Sequence, residues 1–343
     1  MKRTILAATL ALATAVPAVL AHAQSNAPMK VTLAGGSVGG AWSVAGNAIG
    51  ETLRREYPNT SFTYEPGREQ SNILLVSQGR VQLGIAHAQL AGRALAGGEP
   101  FKQPVTNIRA IAVIDPLAAM QVFARQGSDF QSFEQVRRDR KPIRVALNQR
   151  GTMMALAGEE MLAANGIATQ DIEAWGGKVH YVAYNEGLEM MKNKQVDLIV
   201  NLLAFPSGQV ASATREMPVQ MVGLTPEVQG ALQKSLGMMP IEVPAKTYDF
   251  QPAAVPSATA TVVLVANASM SDEDAGKIVS AMLRNMDFLK QSHAMMRHLD
   301  PVSLTRVAPL KLHPGAEKAY RAAGGGDRGY DAKALKMVSM YDA

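Results

Sequence analysis

The chain has 343 residues, a formal net charge of +5 and no cysteine. Its length exceeds the ~250–300 residues at which single cores stop growing, so two domains are expected. The weak positive charge, without a Lys/Arg run interleaved with aromatic residues, argues against nucleic-acid binding, and the lack of cysteine excludes a fold held by disulfides.

The chain begins with the pattern of a Sec signal peptide. Lys2 and Arg3 precede an apolar run at residues 4–20, and an A-x-A cleavage site follows. We expect cleavage between Ala23 and Gln24, which removes two positive charges, lowers +5 to +3 and leaves a periplasmic protein. An uncleaved membrane anchor is the less favoured alternative, because the apolar run is shorter than the ~20 residues of a bilayer span.

Strand-like and helix-like patterns then alternate along almost the whole chain. Short runs of apolar and β-branched residues predict strands at residues 30–34, 61–65, 81–86, 108–114, 121–125, 143–147, 179–183, 198–202, 219–222 and 259–266. Helical periodicity predicts helices at 44–56, 71–78, 152–164, 186–193 and 272–291. This alternation predicts an α/β fold with ligand loops at the carboxyl ends of the strands.

Two shifts in composition predict a second domain inserted in the first. Residues 126–142 are polar, and 244–258 contain three prolines without periodicity. We therefore expect a hinge of two crossings, near 121–130 and 250–262. Lobe 1 would comprise 24–125 plus 259–324, and lobe 2 would comprise 126–258. The composition assigns the C-terminal tail at 325–343 to neither lobe.

The first loop with a chemical signal is the glycine turn before the 44–56 helix. It reads GGxxGG at 35–40, whereas a dinucleotide fingerprint reads GxGxxG. Glu65 stands near the place of the ribose-binding acid, which keeps a dinucleotide enzyme as an alternative, although an exported protein meets little NAD. A glycine turn before a helix presents backbone N–H groups to an anion, and Ser37 adds a hydroxyl.

Two further loops have the same order of strand, turn and helix. Arg68 lies in the second loop, before Ser71, and Arg150 lies in the middle loop, before Gly151 and Thr152. Because an arginine fork donates two parallel hydrogen bonds to a carboxylate, the three loops together predict a cleft for an anionic small molecule. The alternative, that both arginines are ordinary surface residues, stays open.

Other candidates have weaker signals. His87 follows a predicted strand, where a cleft residue would lie, and Trp42 would either stack on a ligand or seal its helix against the sheet. His293 and His298 are five positions apart and cannot share a metal ion from one helix face, so no metal is expected. No catalytic motif is present, and we expect neither an enzyme nor a cofactor.

Five segments of the chain, in the same order, resemble the TAXI-type solute-binding proteins of tripartite (TRAP) transporters. They cover roughly residues 29–324 and read AGGSVGGAW (34–42), SNILLVSQGRVQLGIAHAQLA (71–91), GTMMALAGEEMLAANGI (151–167), AYNEGLEMMKNKQVDLIV (183–200) and LHPGAEKAYRAAG (312–324). The resemblance implies a two-lobed Venus-flytrap fold of the periplasmic-binding-protein type, which is type II-like and has mixed sheets. It also implies that the protein captures a small carboxylate of the glutamate or 2-oxoglutarate class and delivers it to TRAP membrane subunits. It also implies a monomer.

The resemblance implies ligand contacts at the matching positions, which are Ser37, Gly39, Trp42, Ser71, Gly151 and Thr152. The second and middle loops depart from the family pattern by containing Arg68 and Arg150, and Phe205 stands where small residues are usual. A bulkier, more cationic pocket is therefore expected. It would take a solute with two carboxylates, or one carboxylate and an apolar body against Phe205.

Two other functions are weighed against this one. A periplasmic sensing subunit of a signalling system would use the same fold and would lack a permease partner. An exported α/β enzyme would need a base and a nucleophile near the loops, and the sequence shows neither.

Overall fold

The computed structural model describes residues 28–324. The predicted signal peptide and the tail at 325–343 lie outside the described residues. No helix in 28–324 combines the length and apolarity needed to cross a bilayer.

The strands and helices alternate as the sequence predicts. The strands are β1 (Lys30–Gly35), β2 (Ser61–Pro66), β3 (Leu83–His87), β4 (Ile108–Arg125), β5 (Arg144–Leu147), β6 (Lys178–Tyr181), β7 (Leu198–Leu203), β8 (Val219–Met221), β9 (Met239–Val243) and β10 (Val255–Asn267). The helices are α1 (Ala41–Glu56), α2 (Glu69–Ser77), α3 (Ala88–Ala96), α4 (Phe133–Asp139), α5 (Met153–Ala164), α6 (Thr169–Ala174), α7 (Tyr184–Lys192), α8 (Gly208–Ala213), α9 (Pro226–Leu236), α10 (Asp272–Arg284), α11 (Met286–Ser292) and α12 (Pro314–Ala322).

The strands form one mixed sheet in the order β2-β1-β3-β10-β4-β7-β5-β6, with β8 on β4 and β9 on β10. The pairs β1–β2, β1–β3, β5–β6 and β5–β7 are parallel, whereas β10 and β4 are antiparallel to their neighbours. The predicted α/β fold with mixed strands is confirmed.

The two long strands β4 and β10 connect the two sides of the sheet. We call β1–β3 with α1–α3 the first half, and β5–β7 with α5–α7 the second half. Residues 262–266 of β10 pair with β3, and residues 255–259 pair with β9. Residues 119–124 of β4 pair with β7. The predicted lobe boundaries and hinge crossings stay predictions within this topology.

Strand β4 corrects the prediction of two separate strands at 108–114 and 121–125. The sequence Asp115-Pro116 suggests a break, but the strand continues through an irregular stretch where Val262 pairs with Asp115 and Ala260 pairs with Ala118. A proline is tolerated at such a bulge because no ladder hydrogen bond is required of it. The Asp115 carboxyl accepts the next free amide, from Leu117, at 2.9 Å.

Helix α10 also ends earlier than predicted. The single helix expected at 272–291 breaks at Asn285, whose φ of −112° is not helical, and α11 starts anew at Met286. The Asn285 side chain donates to the Ala281 carbonyl and to Glu56 of α1, which anchors the break against α1.

The core lies on both faces of the sheet and extends through both halves. Leu33, Ile85, Val113 and Leu264 are fully buried in the central strands, and Leu198 is fully buried in β7. Helix α1 packs its apolar side, including Ile49 and Leu53, against this core. The carboxyl ends of the parallel strands of both halves therefore lie at one common cavity.

Candidate functional site

A cavity of about 320 Å³ lies between the two halves. Its wall is formed by the loops that follow β1, β2, β5 and β6 and by the last residues of β7. Because these strands are parallel to their neighbours, their carboxyl ends share one edge, which is where α/β folds bind ligands.

The loop after β1 brings the N-terminus of α1 to the cavity. Gly39 has a φ of +78°, a conformation that favours glycine, and it turns the chain into the helix. Gly40 is the N-cap and has no side chain to cap the helix, and Gly40, Ala41 and Trp42 all line the cavity. The first N–H groups of a helix have no partner within it, so this end of α1 can receive an anion.

A half-buried tyrosine and a buried asparagine hold this loop in place. The Tyr64 hydroxyl donates to the Gly36 carbonyl at 2.8 Å. The Asn72 amide donates to the carbonyls of Gly35 and Ile85 at 3.1 and 3.0 Å, and so ties the ends of β1 and β3 to α2. A side chain on Gly67 would come within 2.5 Å of the Asn72 amide oxygen, so the second loop needs glycine at this position.

The loop after β2 supplies a cation and a buried acid. Arg68 is the N-cap of α2, is exposed and lines the cavity. Glu69 follows it and is 1% exposed. One Glu69 oxygen accepts the backbone N–H of His87 at 2.6 Å, and the other accepts the backbone N–H of Met153 at 2.8 Å. His87 Nδ1 lies 3.2 Å from both oxygens.

The second half contributes mainly carboxamides. Asn148 and Gln149 follow β5, and the Asn148 amide donates to the side-chain oxygen of Asn201 at 3.1 Å. Asn185 and Gln209 line the cavity as well and are hydrogen-bonded to each other. These groups can donate and accept hydrogen bonds without carrying charge.

Tyr184 forms an apolar part of this wall. Burial raises the pKa of its phenol well above the usual 10. Its hydroxyl has no hydrogen-bond partner among the residues at 28–324. The phenol is therefore neutral at physiological pH.

Four of the ten residues predicted from the sequence line the cavity. Ser37, Trp42, Arg68 and Thr152 do so. The Thr152 hydroxyl, however, accepts the Ala155 N–H at 3.1 Å and donates to the Gln149 carbonyl at 2.7 Å, so its side chain caps α5.

The other predicted residues lie beside the cavity or away from it. The Arg150 guanidinium lies 3.6 Å from the centre of the Tyr181 ring and 3.7 Å from a Glu159 oxygen, on the outer side of α5. The Gly151 carbonyl accepts the Gln70 N–H at 2.9 Å.

Four predicted residues remain. Gly39 shapes the first turn, and Ser71 is exposed on α2. His87 is 1% exposed, is paired with Glu69, and has its ring centre 5.3 Å from that of Trp42. Phe205 is half-buried and is not part of the cavity wall.

Sequence reasoning missed most of the polar lining. Asn148, Gln149 and Glu69 stand inside loops that were singled out, but no local pattern shows which way their side chains face. Asn185 follows β6 and Gln209 follows β7, and their contact depends on β5 lying between these two strands in the sheet. In residues 28–324, no group of three or more His, Asp or Glu side chains could hold a metal ion.

Comparison with known proteins identifies the family. The NMT1-like family matches residues 33–324, and the chain belongs to this family.

Solved structures show the same fold at low sequence identity. One is MatC from Rhodopseudomonas palustris with bound malate, 13% identical, with a TM-score of 0.54 over 78% of this chain and 89% of that one. Another is PhnD1 from Prochlorococcus marinus in complex with methylphosphonate, 10% identical, with a TM-score of 0.52 over 87% and 96%. A third, described as a periplasmic transporter, is 11% identical, with a TM-score of 0.52 over 92% and 97%.

Proposed function

We propose that this member of the NMT1-like family is an extracytoplasmic solute-binding protein that captures a small organic anion between its two halves. The observation that carries the proposal is the cavity between the halves, which both the N-terminus of α1 and Arg68 line. Both groups attract a carboxylate, the first through free backbone N–H groups and the second through a charged fork.

The ligands of the structural neighbours support an anionic solute. MatC was solved with malate and PhnD1 with methylphosphonate. The predicted Sec signal peptide supports export to the periplasm. The five segments that resemble TAXI proteins support delivery of the solute to TRAP membrane subunits. Such delivery requires a membrane permease that transports the same solute.

The proposed mechanism is capture by closure. A solute that contacts loops of both halves stabilises the arrangement in which the halves meet, and the membrane partner then recognises that arrangement. The protein's own groups act by binding and orientation, and no bond of the solute is broken.

Thermal unfolding tests the proposal. The mature protein is heated with each member of a panel of mono- and dicarboxylates, phosphonates, amino acids and NAD. A ligand at about 100 times its Kd adds about 2.7 kcal/mol to the free energy of unfolding, which raises the melting temperature visibly. We expect a carboxylate to do this. A shift with NAD alone would contradict the proposal.

The two loop arginines provide a matched pair of variants. Arg68→Ala should weaken binding of that carboxylate by roughly tenfold or more, because a charge-assisted hydrogen bond contributes about 1.5–3 kcal/mol. Arg150→Ala removes the same charge outside the cavity and should change the Kd by less than about twofold. Calorimetric titration measures both, and equal losses in the two variants would count against this site.

A further inference from the structure

The Glu69 carboxylate lies where α5 of the second half would otherwise receive an anion. It belongs to the first turn of α2 in the first half, and one of its oxygens accepts the backbone N–H of Met153, the first residue of α5. The Thr152 hydroxyl accepts the N–H of Ala155 in the same turn. The protein's own side chains therefore accept the N–H groups of Met153 and Ala155 at this helix terminus.

The position of Glu69 is fixed from several directions. Its side chain is fully buried, and its oxygens face the backbone N–H groups of His87 and Met153 and the Nδ1 of His87. The adjacent Gln70 N–H donates to the Gly151 carbonyl, so the contact between the halves is continued by the backbone. Both oxygens of Glu69 therefore act as hydrogen-bond acceptors for backbone N–H groups, one from each half.

The charges around the cavity are consequently asymmetric. Among the residues that line it, Arg68 is the cation, and Glu69 and Glu186 are the acids. The side formed by β5 and β7 presents Asn148, Gln149 and Asn201, which are neutral. A solute with one carboxylate at α1 and Arg68 meets neutral hydrogen-bonding groups with its other end, whereas a second carboxylate would lie beside the buried charge of Glu69.

We propose that Glu69 determines specificity by occupying the α5 terminus with a carboxylate, so that the site takes a monoanion whose second polar group is a neutral amide, hydroxyl or carbonyl. This inference rests on the proposed function and narrows it. It excludes the solute with two carboxylates that the sequence allows, and it expects a neutral polar group where the sequence suggests an apolar body against Phe205, which does not line the cavity. Two like charges held close together repel each other, and discrimination of this kind works by repulsion as much as by attraction.

Matched pairs of solutes test the inference. Binding to the mature protein is measured by calorimetry at pH 7.5 for two amide–acid pairs, succinamate with succinate and glutaramate with glutarate. The hydroxy acids 4-hydroxybutyrate and 5-hydroxypentanoate are compared with the same two dicarboxylates. The wild type should bind the monoanion of each pair at least about tenfold more tightly than the dianion. This corresponds to a difference of about 1.4 kcal/mol in binding free energy.

Two variants assign the preference to Glu69. Glu69→Gln removes the charge and keeps an oxygen for the Met153 N–H, and it should reduce the preference severalfold by strengthening binding of the dicarboxylate. Glu65→Gln removes the charge of an exposed acid near the same loop and should leave the ratio unchanged. If Glu69→Gln does not fold, as judged by circular dichroism, Glu186→Gln decides, because it removes the other acid of the cavity wall. A preference that is unchanged in this variant is expected if Glu69 is its source, and a lost preference overturns the proposal.

The outcomes separate this inference from the proposed function. Tighter wild-type binding of the dicarboxylates, or a ratio unaffected by Glu69→Gln, overturns the role of Glu69 and leaves an anion-binding protein. If no carboxylate of the panel binds the wild type, the proposed function fails and this inference fails with it.

Discussion

At the scale of single residues, two arginines with the same local sequence context have different roles. Each stands in a loop between a strand and a helix, yet Arg68 lines the cavity and Arg150 lies over the Tyr181 ring. The sequence predicts the loops correctly, because glycine and small polar residues mark them. It does not predict which arginine faces inward, because that depends on the aromatic ring at the end of β6.

Asp115 is a second residue whose behaviour follows from its surroundings. It is 3% exposed in the irregular part of β4, and burial raises the pKa of its carboxyl from 3.8 to about 7, against the smaller opposing effect of the Leu117 N–H. The folded protein therefore keeps this proton up to about pH 7, whereas the unfolded chain releases it near pH 3.8.

The free energy of unfolding should accordingly fall as the pH rises from about 4 to about 7, by about 1.4 kcal/mol per pH unit from this group. Asp115→Asn stays neutral and keeps the oxygen that accepts the Leu117 N–H, so it should lose this contribution to the slope. Urea unfolding of both proteins at pH 5 and pH 8 measures it. Equal slopes in the two proteins would show that Asp115 does not hold the proton.

At the scale of elements, the sequence predicts the loops and strands that have strong local signals, but it misses several helices. Helix α9 has a Thr225 cap, proline at its first position and Gly237 after its end, yet the prediction left this region unassigned. Strand β9 was missed because its residues, except Val243, are not fully buried and so lack a clear apolar pattern. It forms through pairing with β10.

Thr152 shows how an element uses a residue that the sequence assigns to a ligand. Its hydroxyl caps α5, so Thr152→Ala should lower the free energy of unfolding by about 1 kcal/mol, whereas Thr152→Ser keeps the hydroxyl and should stay close to the wild type. Chemical denaturation of the three proteins makes the comparison. A larger loss of solute affinity than of stability in Thr152→Ala would instead indicate a direct ligand contact.

At the scale of the whole molecule, the two halves touch across the cavity. Glu69 contacts Met153, and Gln70 contacts Gly151, although each pair joins different halves of the sheet. Both halves are also linked through the long strands β4 and β10. This arrangement is the closed one in the proposed mechanism.

A saturating solute should therefore lower the radius of gyration in solution, because it favours the closed arrangement over more open ones. Small-angle X-ray scattering with and without the solute identified by calorimetry measures the change. Arg68→Ala at the same solute concentration is the control and should show a smaller decrease. An unchanged radius in the wild type, with binding confirmed by calorimetry, would mean that capture does not require closure.

The sequence by itself determined the α/β class, the order of most elements and the positions of the three glycine-marked loops, because periodicity and turn residues act over short stretches of chain. Only the tertiary structure decided the chemistry of the cavity. Glu69 and Met153 are 84 positions apart, and Asn148 and Asn201 are 53 positions apart. Contacts over such distances depend on strand order and on which side of a helix faces its neighbour, and no local pattern in the chain specifies either.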